Sequence, residues 1–245
     1  MAGEADLVHR LSLKLRARDA LNEREEQVLR AAIADTAEFG PGRTIVRQGA
    51  TLTHSILLVD GMLARYKDLS EGQRQIQELH LPGDFADLHG FLLKRLDHNI
   101  GTQTRVRIAL VPHETLRRIT EEEPHLSRLL WFSTLLDSAI QREKILSVGR
   151  RPALSRLAHL LCELRVRFEL IGMTDDDGFP LPLTQLDLGD ATGLTSVHVN
   201  RMLKQLRDER LVTFRGGTVR IHDWARLQQV GEFDPAYLYL DRRPR

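Results

Sequence analysis

The side chains best suited to recognition chemistry stand close together in Thr195-Ser196-Val197-His198-Val199-Asn200-Arg201-Met202-Leu203-Lys204. Val199, Met202, Leu203 and Leu206 recur at helical spacing, so on a helix they share one side and leave Ser196, Val197, Asn200, Arg201 and Lys204 facing outward. Short polar groups and bases on the exposed first turns of a helix suit the edges of base pairs in a major groove. Arginine bonds guanine O6 and N7 bidentately there, and an exposed apolar side chain meets a thymine methyl.

The residues around this segment supply what must position it. Thr184 with Asp187 forms a capping-box signal, and Leu186, Leu188 and Ala191 provide an apolar face for a first short helix. Gly193 lets the chain turn where a side chain would clash, and Thr195 caps the second helix. This is the pattern of a DNA-binding helix-turn-helix, although two amphipathic helices around a glycine also occur in proteins that never touch DNA. The flanks favour DNA. Residues 195–220 carry Arg201, Lys204, Arg207, Arg210, Arg215 and Arg220 against only Asp208 and Glu209, a local basic excess in a chain of net charge +1. Leu211-Val212-Thr213-Phe214, Arg215-Gly216-Gly217-Thr218 and Val219-Arg220-Ile221 then read as strand, glycine turn and strand, which makes the unit winged. The candidate DNA contacts are Thr184, Thr195, Ser196, Val197, His198, Asn200, Arg201, Lys204 and, in the wing, Arg215.

The rest of the 245 residues has the composition of a globular protein, 42% hydrophobic and 28% charged. No apolar run is long enough to cross a membrane, and Met1-Ala2-Gly3-Glu4-Ala5-Asp6 lacks a signal-peptide pattern, so a cytoplasmic protein is expected. The single cysteine, Cys162, excludes an intrachain disulfide and an iron–sulfur cluster, and it sits among leucines as helix core. From Pro41 to Pro112, Gly42, Gly49, Gly61, Gly72 and Gly83 punctuate short apolar segments in the rhythm of an antiparallel β-domain. Asp60-Gly61 between Ile56-Leu57-Leu58-Val59 and Met62-Leu63-Ala64-Arg65-Tyr66 signals a hairpin, and Val106, Ile108 and Leu110 alternate as in a strand with one buried face.

A long helix is expected between these parts. Leu129, Phe132, Leu136, Ala139 and Ile140 form an apolar dimerisation seam, and such a helix needs two partners, its own β-domain on one side and the same helix of a second chain on the other, with packing wholly inside one chain as the alternative. After Arg150, Arg151 and Pro152 a further helix carries Leu154, Leu157, Leu161, Leu164 and Phe168 on one face, and Asp175-Asp176-Asp177-Gly178-Phe179-Pro180 reads as a solvated loop. That loop lacks the glutamate an EF-hand requires. The chain thus divides into an N-terminal helical segment and β-domain (1–123), a dimerisation helix (124–150) and a winged helix-turn-helix with a C-terminal tail (151–245).

In this order of parts, from about Gly42 to Asp223, the chain resembles the Crp/Fnr family of bacterial transcription regulators. The most specific matching segments are Leu81-Pro82-Gly83-Asp84-Phe85 and Gly193-Leu194-Thr195-Ser196-Val197-His198-Val199-Asn200-Arg201-Met202-Leu203-Lys204-Gln205-Leu206. The resemblance implies an α+β fold with an N-terminal antiparallel β-roll like a cyclic-nucleotide-binding domain. It also implies a homodimer on a partly palindromic double-stranded DNA site, with RNA polymerase as a further candidate partner and no membrane association. Members that bind cyclic AMP carry a glutamate soon after the equivalent of Gly83-Asp84-Phe85 and later an arginine-serine pair. Here Ala86-Asp87-Leu88-His89-Gly90-Phe91-Leu92-Leu93-Lys94-Arg95-Leu96-Asp97-His98 has neither. A phosphate near Asp87 and Asp97 without a bidentate arginine would be repelled, and Arg95 is the one nearby arginine, so no cofactor is expected and the effector stays open. The cysteines of the iron–sulfur members are also missing. At the start of the recognition helix Ser196-Val197 replaces the family's arginine-glutamate pair, and only Arg201 matches its third reading residue.

A competing reading comes from His80, Asp84, Asp87, His89, Asp97 and His98, which on a β-barrel could serve a metal- or haem-binding sensor or a cupin-like enzyme. Their spacing argues against the enzyme, because cupin-type sites want two histidines one residue apart.

Overall fold

The structure, a computed structural model, describes residues 6–175 and 178–244. Asp176 and Asp177 of the acidic segment lie outside the described residues. Two helices come first, α1 (His9–Arg16) and α2 (Glu23–Ala31), the second started by an Asn22/Glu25 capping box. Then follow β1 (Asp35–Phe39), β2 (Thr44–Val46), β3 (His54–Asp60), β4 (Leu63–Asp68), β5 (Arg74–His80), the one-turn α3 (Gly90–Leu93), β6 (Asn99–Thr102) and β7 (Val106–Pro112). Helices α4 (His113–Glu122), α5 (Pro124–Arg150) and α6 (Ala153–Leu170) lead to β8 (Gly178–Pro180), α7 (Gln185–Thr192), α8 (Ser196–Asp208), β9 (Val212–Arg215), β10 (Thr218–Ile221) and α9 (Trp224–Gly231).

The strands of the N-terminal half form two sheets, ordered β1-β7-β3 and β2-β6-β4-β5. Between them lies an apolar interior of Ile56 and Leu58 from β3, Leu63 from β4, Ile100 from β6, and Val106 and Ile108 from β7. The opposite face of β7, through Ala109 and Val111, packs with Leu57 against leucines of α1, α2, α4 and the start of α5. Strand β7 is therefore buried on both faces and not on one, because helices cover the side that a bare sheet would give to water. Two further expectations are corrected. The β-domain begins at Asp35, since β1 pairs with β7 in the register Asp35 to Leu110. Asp60-Gly61 closes no hairpin either, because β3 pairs with β7 while β4 lies in the other sheet, so the dipeptide carries the chain from one sheet to the next.

The chain resolves into two compact units. The first takes residues up to Arg65, Leu79–Ser138 and the C-terminal tail from Tyr239; the second takes Tyr66–Glu78 and Ala139–Leu238. In the first unit Tyr239 meets Phe132 edge to face, with ring centres 6.2 Å apart, and the Arg243 amide donates to Arg18 O. In the second, α6 buries Leu157, Leu161, Leu164 and Phe168 as its spacing foretold, while Leu154, expected on the same face, is half-buried. Cys162 lies in the same core, and burial pushes its thiol up to about 12, so it is packing material and no nucleophile. Gly178–Pro180, expected to be loop, pairs with β10 and completes a β8-β10-β9 sheet.

Helix α5 runs 27 residues without interruption. The apolar seam expected at its surface is largely covered by the chain itself: Leu129, Ala139 and Ile140 are buried, and Phe132 and Leu136 half-buried. The large apolar residues that α5 leaves in the open are Trp131, Leu135, Ile145 and Leu146, with Trp131 67%, Leu135 53% and Ile145 72% exposed. Among the described residues no helix is long and apolar enough to cross a membrane.

Candidate nucleic-acid interface

The helix-turn-helix assembles as its capping residues dictate. The Thr184 hydroxyl accepts from the Asp187 amide at 3.1 Å while the Asp187 carboxylate accepts from the Thr184 amide at 2.8 Å, which satisfies two donors at the start of α7. The helix stops at Gly193, which adopts the left-handed conformation (φ +67°) that a side chain would strain. Gly189 is needed for a different reason: a Cβ there would sit 2.5 Å from Leu194 O, so the turn could not close. The Thr195 hydroxyl then accepts from the His198 amide at 3.2 Å and starts α8.

Of the apolar residues expected beneath these helices, Leu188, Ala191, Val199, Met202 and Leu206 are buried and Leu203 is half-buried. Leu186 is exposed, because with Leu188 and Ala191 turned inward it falls on the other side of α7. Thr195, Ser196, Val197, Asn200, Arg201 and Lys204 all lie exposed, Val197 by 79%, and His198 is half-buried. Lys204 pairs with Asp208 one turn along the helix, an exposed ion pair that costs little to exchange for another anion. Strands β9 and β10 pair from Val212–Ile221 to Arg215–Thr218 around Gly216-Gly217, both at positive φ, which puts exposed Arg215 at the tip of the wing. Thr213 and His222 brace the wing from across the strands, with Oγ1 and Nε2 2.8 Å apart. That contact was not foreseen, since its only sequence signal is two polar side chains that come level once the register is known.

The β-roll buries a few charged groups, Arg65 and Asp87 among them. Arg65 is almost wholly buried; its Nε donates to Ala86 O at 2.6 Å and its Nη2 to the Asp137 carboxylate at 2.8 Å. Asp87 is also buried, with Oδ1 accepting from the Ile56 amide at 2.6 Å. Burial pushes this carboxyl up to about 7 against the opposing effects of that amide and of Arg65, and burial with Arg65 nearby holds His89 down to about 3. A carboxyl whose folded pKa exceeds its unfolded value contributes stability that is full at low pH and lost as pH rises through the folded pKa. Asp87→Asn keeps the acceptor for Ile56 and removes the buried charge, so its melting temperature should gain on that of the unchanged protein as pH rises from about 4 to about 7. Parallel melting profiles over that range would contradict this account of Asp87.

The polar residues proposed for a metal or haem do not converge. Asp84 is engaged with Lys14, and His98 Nδ1 lies 2.9 Å from exposed Asp97. His80 is buried, and the rings of His89 and His98 lie tilted by 45° with centres 5.3 Å apart. Among the described residues no three His, Cys, Asp or Glu side chains gather as a set for a metal ion.

Comparison with known proteins agrees with this geometry. Residues 36–123 match the cyclic nucleotide-binding domain and residues 155–230 the Crp-like helix-turn-helix domain. Relatives matched over most of the chain include the transcriptional activator protein FnrL of Cereibacter sphaeroides, 25% identical over 193 residues and 77% of each chain. Another is the nitrogen fixation regulation protein FixK of Bradyrhizobium diazoefficiens, 28% identical over 195 residues, 78% of this chain and 79% of that one. The solved structure of FixK2 from Bradyrhizobium japonicum superposes with a TM-score of 0.72 at 25% identity, covering 81% of this chain and 97% of that one. The chain belongs to the Crp/Fnr family of transcription regulators. In the segment after Phe85 the buried carboxylate of Asp87 accepts from the Ile56 amide, while Arg65, buried on β4, donates to Ala86 O and to Asp137. Arg95 is exposed on the far side of α3 in sequence and offers no buried fork.

Proposed function

We propose that this regulator works as a homodimer joined along α5, sets one α8 into each of two successive major grooves of a partly palindromic site, and does so without a cyclic nucleotide. The observation that carries the reading is the outward face of α8, where Ser196, Val197, Asn200 and Arg201 stand exposed above a buried Val199-Met202-Leu206 base. Arg201 suits a guanine, Asn200 an adenine and Val197 a thymine methyl. Thr184, Thr195, Ser196 and His198, near the helix starts, suit phosphates, as do Lys204 and the wing's Arg215.

For the dimer, exposed residues 131, 135, 138, 142 and 145 repeat at alternating steps of four and three along α5, the spacing of a two-stranded seam. Leucine, tryptophan and isoleucine at such a seam gain by burial against a second copy. FnrL is named a transcriptional activator, which extends the proposal to RNA polymerase as a partner at the promoter.

Fluorescence anisotropy on a selected duplex, paired with calorimetric titration of the protein by cyclic AMP and cyclic GMP, tests the reading. Sequence-specific binding is expected with no nucleotide added, and neither nucleotide should give a saturable heat. DNA binding that appears only with cyclic AMP, or a saturable heat at micromolar concentration, would contradict it.

A further inference from the structure

The last carbonyls of a helix have no partners within it and carry the negative end of its dipole. In the second unit two such ends are served by one side chain. Arg156, in the first turn of α6, donates from Nη2 to Arg151 O at 3.1 Å, just past the end of α5, and from Nη1 to Thr192 O at 2.8 Å, the last residue of α7. A cation set between two helix C-termini is favoured by both, and the rigid planar guanidinium presents Nη1 to one carbonyl and Nη2 to the other, a spacing that the single ammonium point of a lysine does not reproduce. Arg156 also lies against the turn itself, since a Cβ on Gly193 would sit 3.4 Å from its Nη1. A second side chain holds the same helix end: Gln75 Nε2 donates to Asp190 O at 2.8 Å. Arg156 is half-buried and sits on the α6 side of the motif, whereas the proposed DNA contacts are exposed on α8 and the wing.

We propose that Arg156 is a positioning residue for DNA reading, its guanidinium fixing the turn between α7 and α8 against the C-terminal end of α5 through Thr192 O and Arg151 O. This rests on α8 being the reading helix. When the clamp is lost, α8 samples a wider range of angles, so contacts that need exact base geometry weaken while contacts to phosphate, which tolerate movement, persist.

The test uses the full chain, a duplex selected by the unchanged protein from a random pool, and a scrambled duplex of the same length. Arg156→Lys keeps the charge but cannot fork, and Arg156→Gln removes the charge; the lysine variant carries the test if the glutamine variant melts below the assay temperature. Expected for Arg156→Lys is an affinity about tenfold weaker on the selected duplex, with affinity for the scrambled duplex and the salt slope unchanged. Hydrogen exchange of the DNA-free protein should be faster at the amides of residues 193–199 and unchanged in the middle of α6. A fall of about one in the salt slope would make Arg156 a phosphate contact, and equal loss on both duplexes would make it a plain stability residue; either overturns the inference. If the unchanged protein selects no duplex, the reading of α8 fails separately. Exchange at 193–199 then decides the clamp, and unaltered protection there overturns it.

Discussion

Leu135→Glu is expected to turn the dimer into monomers and to weaken binding to a two-fold DNA site by about two orders of magnitude or more. Leu135 is 53% exposed in the single chain and lies one turn from Trp131, itself 67% exposed, so glutamate is harmless to the monomer but would bring one charge from each copy into an apolar seam. Without the seam each half-site is bound alone, and the effective concentration that a linked second recognition helix supplies is lost. Sedimentation equilibrium with anisotropy on the same samples measures both effects. The control is Leu129→Ala, fully buried in the core cluster that also holds leucines of α1, α2 and α4, and no part of the exposed face. It should cost about 2–5 kcal/mol of stability through a cavity and leave a dimer at temperatures where the protein stays folded. A Leu135→Glu protein that remains dimeric would move the interface elsewhere.

Arg201→Ala and Arg215→Ala should fail in different ways. Arg201 is exposed on α8 among the base-facing residues, and its loss should cost on the order of 1–3 kcal/mol on the preferred site and relax selectivity at one base pair in each half-site. Arg215 ends β9 at the tip of the wing, where backbone contact is what the geometry affords, so its loss should weaken all duplexes alike and reduce the salt slope by about one. Binding isotherms at several salt concentrations on specific and scrambled duplexes separate the two patterns. Equal losses on both duplexes for Arg201→Ala would reassign that residue to a phosphate.

The helix-turn-helix was the most legible part of the chain, because its signals are local. Thr184 with Asp187, Gly193 and Thr195 act on backbone groups within a few residues, and each makes the contact its type and position imply. The β-roll was legible in kind and less so in pairing. Asp60-Gly61 has hairpin chemistry, but partner choice depends on Arg107–Pro112, some fifty residues away, and no local pattern reports that. Gly178–Pro180 was hidden for a similar reason: three residues become a strand only because β10 is there to pair with them.

The face of α5 was the hardest to read. Leucines and other apolar residues surround much of this helix, and periodicity alone shows several stripes without saying which one meets its own chain. Leu129 turned to the core and Leu135 to the outside, six residues apart on the same helix. Arg156 was equally invisible, since an arginine near a helix start reads as surface charge until the carbonyls of Arg151 and Thr192 are seen to converge on it.

Selection of bound duplexes from a random pool, followed by sequencing, tests whether two copies of α8 read DNA in a symmetric arrangement. Expected, without any added nucleotide, is enrichment of an inverted repeat whose half-sites are centred about 10–11 base pairs apart, one helical turn, bound by two chains. No enrichment, or a single asymmetric site bound by one chain, would contradict it.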